Sequence, residues 1–354
     1  MKLASALLLI PFLITGCLTG SPSAVPDDAE PRSTLDTTMD APVGARAAQL
    51  LRDFAMGHPW RHSDHPTELA AARTYLRNQV NAAGLELLEH NYRATGNNIL
   101  ALDRGVTHPD SWIIFSCHYD TQPNTIYGAR DDGLGCAAML EMMKTFSTRE
   151  WNHTIAYAFF DEEEKGLIGA VAFVKDYTQN ATVELVANIN LDPAGLHYPC
   201  GDPNGPYAVN VILSLDKVAG PKAVPGYAEL LRAVRSGLNA SKVPPNLVHI
   251  ATKQTYSYVT VQDRHYQVPG ADYEAFDRVD IPSVWLGAPP LDVVGPAKLW
   301  GYPNHTPLDT AELVEARCGS RELLGRGLQV ALDTSRVALE LIDSVLPAAD
   351  NANR

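Results

Sequence analysis

The chain has 354 residues, of which 45% are hydrophobic and 8% aromatic, so it has enough apolar material for a sizeable buried core. Its 41 acidic residues against 28 basic ones give a formal net charge of −13. That charge argues against nucleic acid as a partner and against adsorption on an anionic membrane surface. The composition leaves the oligomeric state open.

The amino terminus has the pattern of an export signal. Lys2 precedes an apolar stretch over residues 3–14, and small residues then lead to Cys17. The stretch is short for a membrane span and resembles the lipobox of a bacterial lipoprotein, so we expect residues 1–17 to be the signal and Cys17 the lipidated residue. An ordinary secretory signal or a short membrane anchor is the alternative. Residues 18–41, rich in Pro, Ser, Thr and Asp, then read as a flexible tether at the bacterial cell envelope.

The remaining chain alternates helical and strand patterns. Apolar residues at helical spacing over residues 43–83 predict two opening helices. Further predicted strands cover residues 85–92, 98–102, 111–117, 154–160, 185–191, 209–213 and 283–287, and further helices cover 133–146, 167–177, 227–238 and 321–345. This alternation predicts an α/β fold, a three-layer sandwich with a central, mostly parallel mixed sheet flanked by helices. We expect one domain over residues 42–346 and a frayed tail over 347–354.

Three predicted strands are followed by residues of types that can bind metals. These residues are His118, Glu163 and Asp192. Ligands gather beyond the carboxyl ends of parallel strands, so we expect the three residues to lie close together. His118 and Asp120 stand two residues apart and project to the same side, so that one can bind a metal while the other orients it.

Two acidic clusters accompany them. Asp131 and Asp132 precede a predicted helix, where one carboxylate can bind a metal while its neighbour caps the helix. The run from Glu162 to Glu164 has an alternative explanation as a solvated charge cluster. It follows the apolar residues 157–160, however, and a carboxylate cluster at the end of a buried strand favours cations.

The motifs and their order resemble a known family. They are His-x-Asp from His118, Gly-Ala-x-Asp-Asp with Asp131, Phe-Phe-Asp-x-Glu-Glu-x-Gly-Leu-x-Gly with Glu163 and Glu164, Asn-x-Asp ending in Asp192, and His-Thr-Pro-x-Asp-Thr from His305. Over roughly residues 43–345 they resemble the zinc aminopeptidase family of co-catalytic di-zinc exopeptidases. That family also includes glutamate carboxypeptidases and glutaminyl cyclases.

The resemblance implies a centre with two zinc ions as cofactors. His118 and Asp192 match the ligands of one ion, Glu164 and His305 match those of the other, and Asp131 matches the bridging carboxylate. Each ion then keeps an open position for water or substrate, as a catalytic zinc site requires.

The resemblance also assigns a catalytic residue, because Glu163 matches the general base. Asp120, two residues after His118, can support the centre by orienting that histidine. A hydroxide shared by two zinc ions about 3.5–4 Å apart forms near neutral pH, and Glu163 takes the proton and returns it to the departing amine. The implied activity is that of an aminopeptidase acting on peptides. Alternatives are a glutaminyl-peptide cyclotransferase with one zinc ion, a carboxypeptidase of the same family and a non-catalytic binding protein.

The cysteines suggest disulfides in an exported protein. If the two motifs converge on one centre, Cys117 and Cys136 come close together, and we expect a disulfide there, as in the cyclases that carry one. Two ordinary buried thiols are the alternative. Cys200 and Cys318 are a second candidate pair.

Three departures from the family pattern leave roles open. Arg130 either recognises a substrate carboxylate or is a surface arginine that pairs with an acid. Asn304 and Tyr302 are candidates for the donor that stabilises the oxyanion. Asp272 stands in a segment that resembles a family Ser-Asp-His motif without the histidine.

Overall fold

The computed structural model describes residues 43–179, 183–194, 209–245, 248–252, 258–261, 264–267, 270–287 and 304–346. The predicted signal, tether and tail lie outside these residues, as do Cys17, Cys200 and Tyr302. Within the described part of the chain, no helix combines the length and the apolar character that a membrane crossing needs.

The described residues contain every strand and helix predicted from the sequence. The strands are β1 Glu86–Asn91, β2 Asn97–Asp103, β3 His108–His118, β4 His153–Phe160, β5 Glu184–Asn190, β6 Val209–Ile212, β7 Val248–Ala251, β8 Tyr258–Val261, β9 Arg264–Gln267 and β10 Ser283–Gly287. The α-helices are α1 Val43–Leu51, α2 Pro66–Ala82, α3 Leu134–Phe146, α4 Ile168–Gln179, α5 Leu215–Val218, α6 Tyr227–Ala240, α7 Tyr273–Asp277, α8 Ala311–Cys318 and α9 Arg321–Val345. The sequence patterns did not predict β7, β8, β9, α5, α7 or α8.

One sheet has the strand order β1-β2-β4-β3-β5-β10-β6-β7, and β8 and β9 pair separately. The pairs β4–β3, β3–β5, β5–β10 and β6–β7 are parallel, whereas β1–β2, β2–β4 and β10–β6 are antiparallel. The predicted mixed, mostly parallel sheet is therefore confirmed, with the parallel strands β4, β3, β5 and β10 at its centre.

Alternating side chains along the central strands supply both faces of the sheet. In β3, Ile113 and Phe115 belong to one hydrophobic cluster, whereas Trp112 and Ile114 belong to the other. The first cluster includes residues of α1, α2, α3, α6 and α9, and the second includes residues of α4 and α7. Burial on both faces explains the continuous apolar runs of these strands, and the three-layer sandwich is confirmed.

This topology positions the candidate site. Because β4, β3 and β5 are adjacent and parallel, their carboxyl ends lie at the same edge of the sheet. His118 ends β3, a short 3₁₀ turn at Glu163–Lys165 follows β4, and Asp192 follows β5. The fold therefore collects three of the predicted site residues before any loop contributes.

Candidate active site

His118 lies at the centre of the first group of candidate ligands. Its Nε2 is 3.1 Å from Asp131 Oδ1, 3.7 Å from Asp192 Oδ1 and 3.9 Å from Glu163 Oε2. The imidazole is buried, with 1% of its side chain exposed. Four residues that the sequence placed in separate motifs therefore meet around one nitrogen.

His305 forms the second group with the other oxygen of Asp131. His305 Nε2 lies 3.0 Å from Asp131 Oδ2 and 3.4 Å from Glu164 Oε2. The two oxygens of Asp131 therefore face two different histidines. This is the arrangement that a carboxylate shared by two metal ions requires.

The donor set fits zinc. Ligand atoms of Asp131, Glu164 and His305 lie within 4.8 Å of one another, and so do those of His118, Glu163 and Glu164 and those of His118, Asp132 and Asp192. Zinc commonly takes mixed imidazole nitrogen and carboxylate oxygen ligands, although neighbouring divalent metals accept the same set.

The electrostatics of the site also favour cations. Burial raises the pKa of Glu163 and Asp192, and it raises the pKa of Glu164 to about 8, with the nearby Asp131 charge adding to the effect. Burial alone would also raise the pKa of Asp131, but hydrogen bonds with His118 and His305 hold it well below its usual range. The cluster holds more acids than its two imidazoles can balance, and divalent cations would supply the missing charge.

Asp120 supports both halves of the site. Its carboxylate accepts hydrogen bonds from the backbone N–H groups of Glu163 at 3.1 Å and Glu164 at 3.3 Å. Its Oδ1 also lies 3.3 Å from His118 Nδ1. One carboxylate therefore orients the imidazole and holds the turn that carries both glutamates, which is the position of a residue that acts through its neighbours.

Asp132, next to Asp131, binds the first turn of α3. Its Oδ1 accepts a hydrogen bond from the Gly135 N–H at 2.9 Å, and its Oδ2 accepts one from the His118 N–H at 3.3 Å. A Cβ atom on Gly135 would lie 2.0 Å from the carbonyl oxygen of Leu191, so only glycine permits this close approach. The start of α3 is thereby packed against the segment that carries Asp192.

Two of the cysteines lie close together beside the site. Cys117 and Cys136 are both buried and free, with their sulfur atoms 2.9 Å apart. The predicted proximity is present, but the predicted Cys117–Cys136 disulfide is not formed in this structure and stays a prediction. Cys318 is disulfide-bonded, and its candidate partner Cys200 lies outside the described residues.

Arg130 is buried, which excludes one of the two roles that the sequence left open for it. Only 2% of the residue is exposed, so the interpretation as a surface arginine is wrong. Its backbone N–H donates to Asp309 Oδ1 at 2.8 Å, and the N–H of Asp131 donates to Asp309 Oδ2 at 3.2 Å. Asp309 therefore joins the Asp131 loop to the segment of His305. The signal for Asp309 was its place in the motif that begins at His305, where no role was assigned to it.

Arg61 is a second residue that the sequence analysis missed. It is fully buried, and its guanidinium donates to the backbone carbonyls of Tyr119 at 2.6 Å, His58 at 3.1 Å, Tyr127 at 2.6 Å and Gly128 at 3.0 Å. Those carbonyls lie in the loop before α2 and in the loop that joins His118 to Asp131. A lone arginine between two helices carries no sequence signal of such a role.

Asp272 is a further buried acid near the site. It is fully buried, and among the described residues neither carboxylate oxygen has a hydrogen-bond partner. Burial raises the pKa of Asp272 well above its usual value, and the negative charges of Asp192 and Asp120 act in the same direction. The sequence marks this segment by its resemblance to a family Ser-Asp-His motif, from which the histidine is missing here.

Known proteins resemble this chain over parts of its length. Residues 98–319 match Peptidase family M28. A probable zinc metalloprotease from Pyrenophora tritici-repentis is 36% identical over 104 residues, which cover 27% of this chain and 24% of that protein. The matched segments span 15–24% of the length of the first curated relatives.

Solved structures share the fold. LapB from Legionella pneumophila superposes with a TM-score of 0.59 at 17% identity, covering 83% of this chain and 71% of that one. A glutaminyl cyclase from an Acidobacteriales bacterium superposes with a TM-score of 0.61 at 18% identity, covering 89% of this chain and 99% of that one. At these identities the likeness concerns the fold alone.

Proposed function

Because this chain belongs to peptidase family M28, which includes zinc metallopeptidases, we propose that it is a di-zinc aminopeptidase that removes amino-terminal residues from peptides. The observation that carries the proposal is the position of Asp131 between His118 and His305, with one carboxylate oxygen facing each imidazole. A carboxylate that bridged two ions would need this arrangement.

Five residues of the chain would hold the metals. His118 and Asp192 would bind one ion, Glu164 and His305 would bind the other, and Asp131 would be shared by both. Bound zinc ions supply the positive charge that acidifies a water molecule and polarises the scissile carbonyl.

Glu163 would move the proton. Its carboxylate is nearly buried and its Oε2 lies 3.9 Å from His118 Nε2, so it borders the candidate metal site. It would accept a proton from the attacking water and then deliver that proton to the nitrogen of the departing amine. Asp120 keeps this carboxylate in place through the backbone N–H of Glu163.

A glutaminyl cyclase is the second candidate. The observation that favours it is the pair Cys117 and Cys136, whose sulfur atoms lie 2.9 Å apart beside the site, because disulfide-bearing cyclases carry a similar pair. A cyclase closes an amino-terminal glutamine onto itself and releases ammonia, so the two activities give different products from the same peptide.

The decisive experiment combines metal analysis with matched substrates. We expect two zinc ions per chain, release of aniline from aminoacyl anilides, and no release from the same anilides with a blocked amino group. A chelator should abolish the activity, and added zinc should restore it. Ammonia release and cyclisation of amino-terminal glutamine peptides, without cleavage of the anilides, would instead identify a cyclase.

We further propose that the protein is exported and anchored by a lipid on Cys17. The apolar segment before Cys17 supports this, and so does the disulfide at Cys318, because disulfides persist in oxidising compartments. Labelled fatty acid should enter the wild-type protein in bacterial cells and fail to enter Cys17→Ser. Labelling of the variant at the wild-type level would contradict the lipid anchor.

A further inference from the structure

Gln122 makes a two-point contact with one candidate ligand. Its side-chain Nε2 donates to the carboxylate Oε2 of Glu164 at 2.7 Å and to the backbone carbonyl of Glu164 at 3.1 Å. Neither the sequence motifs nor the proposed reaction uses this residue. One amide group thus fixes both the main chain and the carboxylate of the same glutamate.

The segment that contains Gln122 supports the site with alternate residues. His118 is a candidate ligand, Asp120 holds the N–H groups of Glu163 and Glu164, and Gln122 holds the carbonyl and the carboxylate of Glu164. Asp120 therefore binds the N–H groups of the turn between β4 and α4, and Gln122 binds its acceptor oxygens.

The two halves of the site differ in how firmly their ligands are held. The His118 side chain is 1% exposed and has Asp120 beside its Nδ1, whereas the His305 side chain is 37% exposed. Since the imidazole of the second group is open to solvent, that group depends more on the orientation of its other ligands. Glu164 is the one that Gln122 orients.

We propose that Gln122 is a positioning residue that sets the affinity of the second metal position by holding the carboxylate of Glu164 toward His305. This inference rests on the proposed two-metal function. Hydrogen-bonded partners of ligating side chains typically change metal affinity by about 10–100-fold when they are removed. The amide of Gln122 contacts no residue assigned to the first metal position alone, so its removal acts on one ion and spares the other.

The test is a zinc titration of metal-free protein with Gln122→Met. Methionine has a similar length and no donor, so it removes the two hydrogen bonds with little change in volume. We expect the larger of the two zinc dissociation constants, that of the second metal position, to rise by about 10–100-fold. The smaller constant should stay within about twofold. Gln49→Met is the matched control. Gln49 lies on α1, and its amide donates a hydrogen bond to Asp53 in the turn that follows this helix.

Each outcome bears on the inference. Two dissociation constants that are unchanged in Gln122→Met would overturn it, and so would an equal weakening of both, which would mean that the residue only supports the turn. Gln122→Ala and the melting temperature of the metal-free variants detect a folding defect. A wild-type chain that binds a single zinc ion would overturn the two-metal function and this inference together, whereas two ions with normal affinities in the variant would overturn the inference alone.

Discussion

Glu163→Gln should lower the turnover number by about 10²–10⁴-fold, because general acid–base catalysis contributes rate enhancements of this size. Glutamine preserves the shape of the side chain and the backbone N–H that donates to Asp120, but it cannot accept the proton of the attacking water. Zinc content should stay at the wild-type level. Turnover on an aminoacyl anilide and metal analysis of the same preparation measure the two effects.

Glu164→Gln is the matched control, because it is the same substitution one residue later. Glu164 lies 3.4 Å from His305 Nε2 and is assigned as a ligand, so this variant should lose zinc as well as turnover. Near-normal turnover in Glu163→Gln would contradict its role as the base. If Glu163→Gln lost zinc as readily as Glu164→Gln, the assignment of the two glutamates to base and ligand would be wrong.

Arg61→Met should lower the free energy of unfolding by about 3 kcal/mol, because buried acceptors that lose their only partner cost about 1–3 kcal/mol each. Among the four carbonyls that Arg61 contacts, the Gly128 carbonyl also accepts the N–H of Gly133, so it keeps one hydrogen bond. The loop between His118 and Asp131 should loosen, and the affinity for zinc should fall together with stability. Urea unfolding of metal-free protein measures the first effect, and zinc titration measures the second.

Arg77→Met is the control for the loss of an arginine elsewhere. Arg77 pairs with Glu89 at the surface, and such pairs contribute about 0–1 kcal/mol. Arg61→Lys keeps the positive charge but has a single donor group in place of a fork, so it should recover only part of the loss. A destabilisation by Arg61→Met no larger than that by Arg77→Met would show that the four carbonyl contacts contribute little to stability.

Much of the fold was predictable because its signals are local. The central strands are buried on both faces and therefore appear as short apolar runs, and their bounds in β3, β4 and β5 lie within three residues of the prediction. The short elements β7 and α7 escaped prediction because four or five residues give too little periodicity to separate a strand from a helix. Antiparallel neighbours such as β10 and β6 depend on contacts between distant segments, which periodicity does not record.

The candidate site, like the fold, was predictable from the sequence only in part. The residue types of His118, Asp131, Glu163, Asp192 and His305 stand in motifs whose order resembles one family, and the structure brings these side chains together at one edge of the sheet. By contrast, Gln122 and Asp309 act through hydrogen bonds to partners 42 and 179 residues away. Amide side chains are common in loops, so nothing in the chain marks Gln122 as a support, and the motif that contains Asp309 gives its position without its hydrogen-bond partners.

The residue types of the chain are enough to identify the chemistry of the site: the histidines and carboxylates able to bind zinc, the strands that end in them and the family that they resemble. How those groups are held depends on contacts between segments that are far apart in the chain. Arg61 lies in a loop and Arg130 in a short helical turn at Ala129–Gly133, and the burial of both arginines follows from the packing of distant segments, not from their neighbours in the chain. One oxygen of Asp131 faces each histidine, and the backbone of this aspartate is held by Asp309 and by the loop that Arg61 binds. The orientation of a carboxylate between two histidines depends on such contacts, and the spacing of residues along a chain does not specify it.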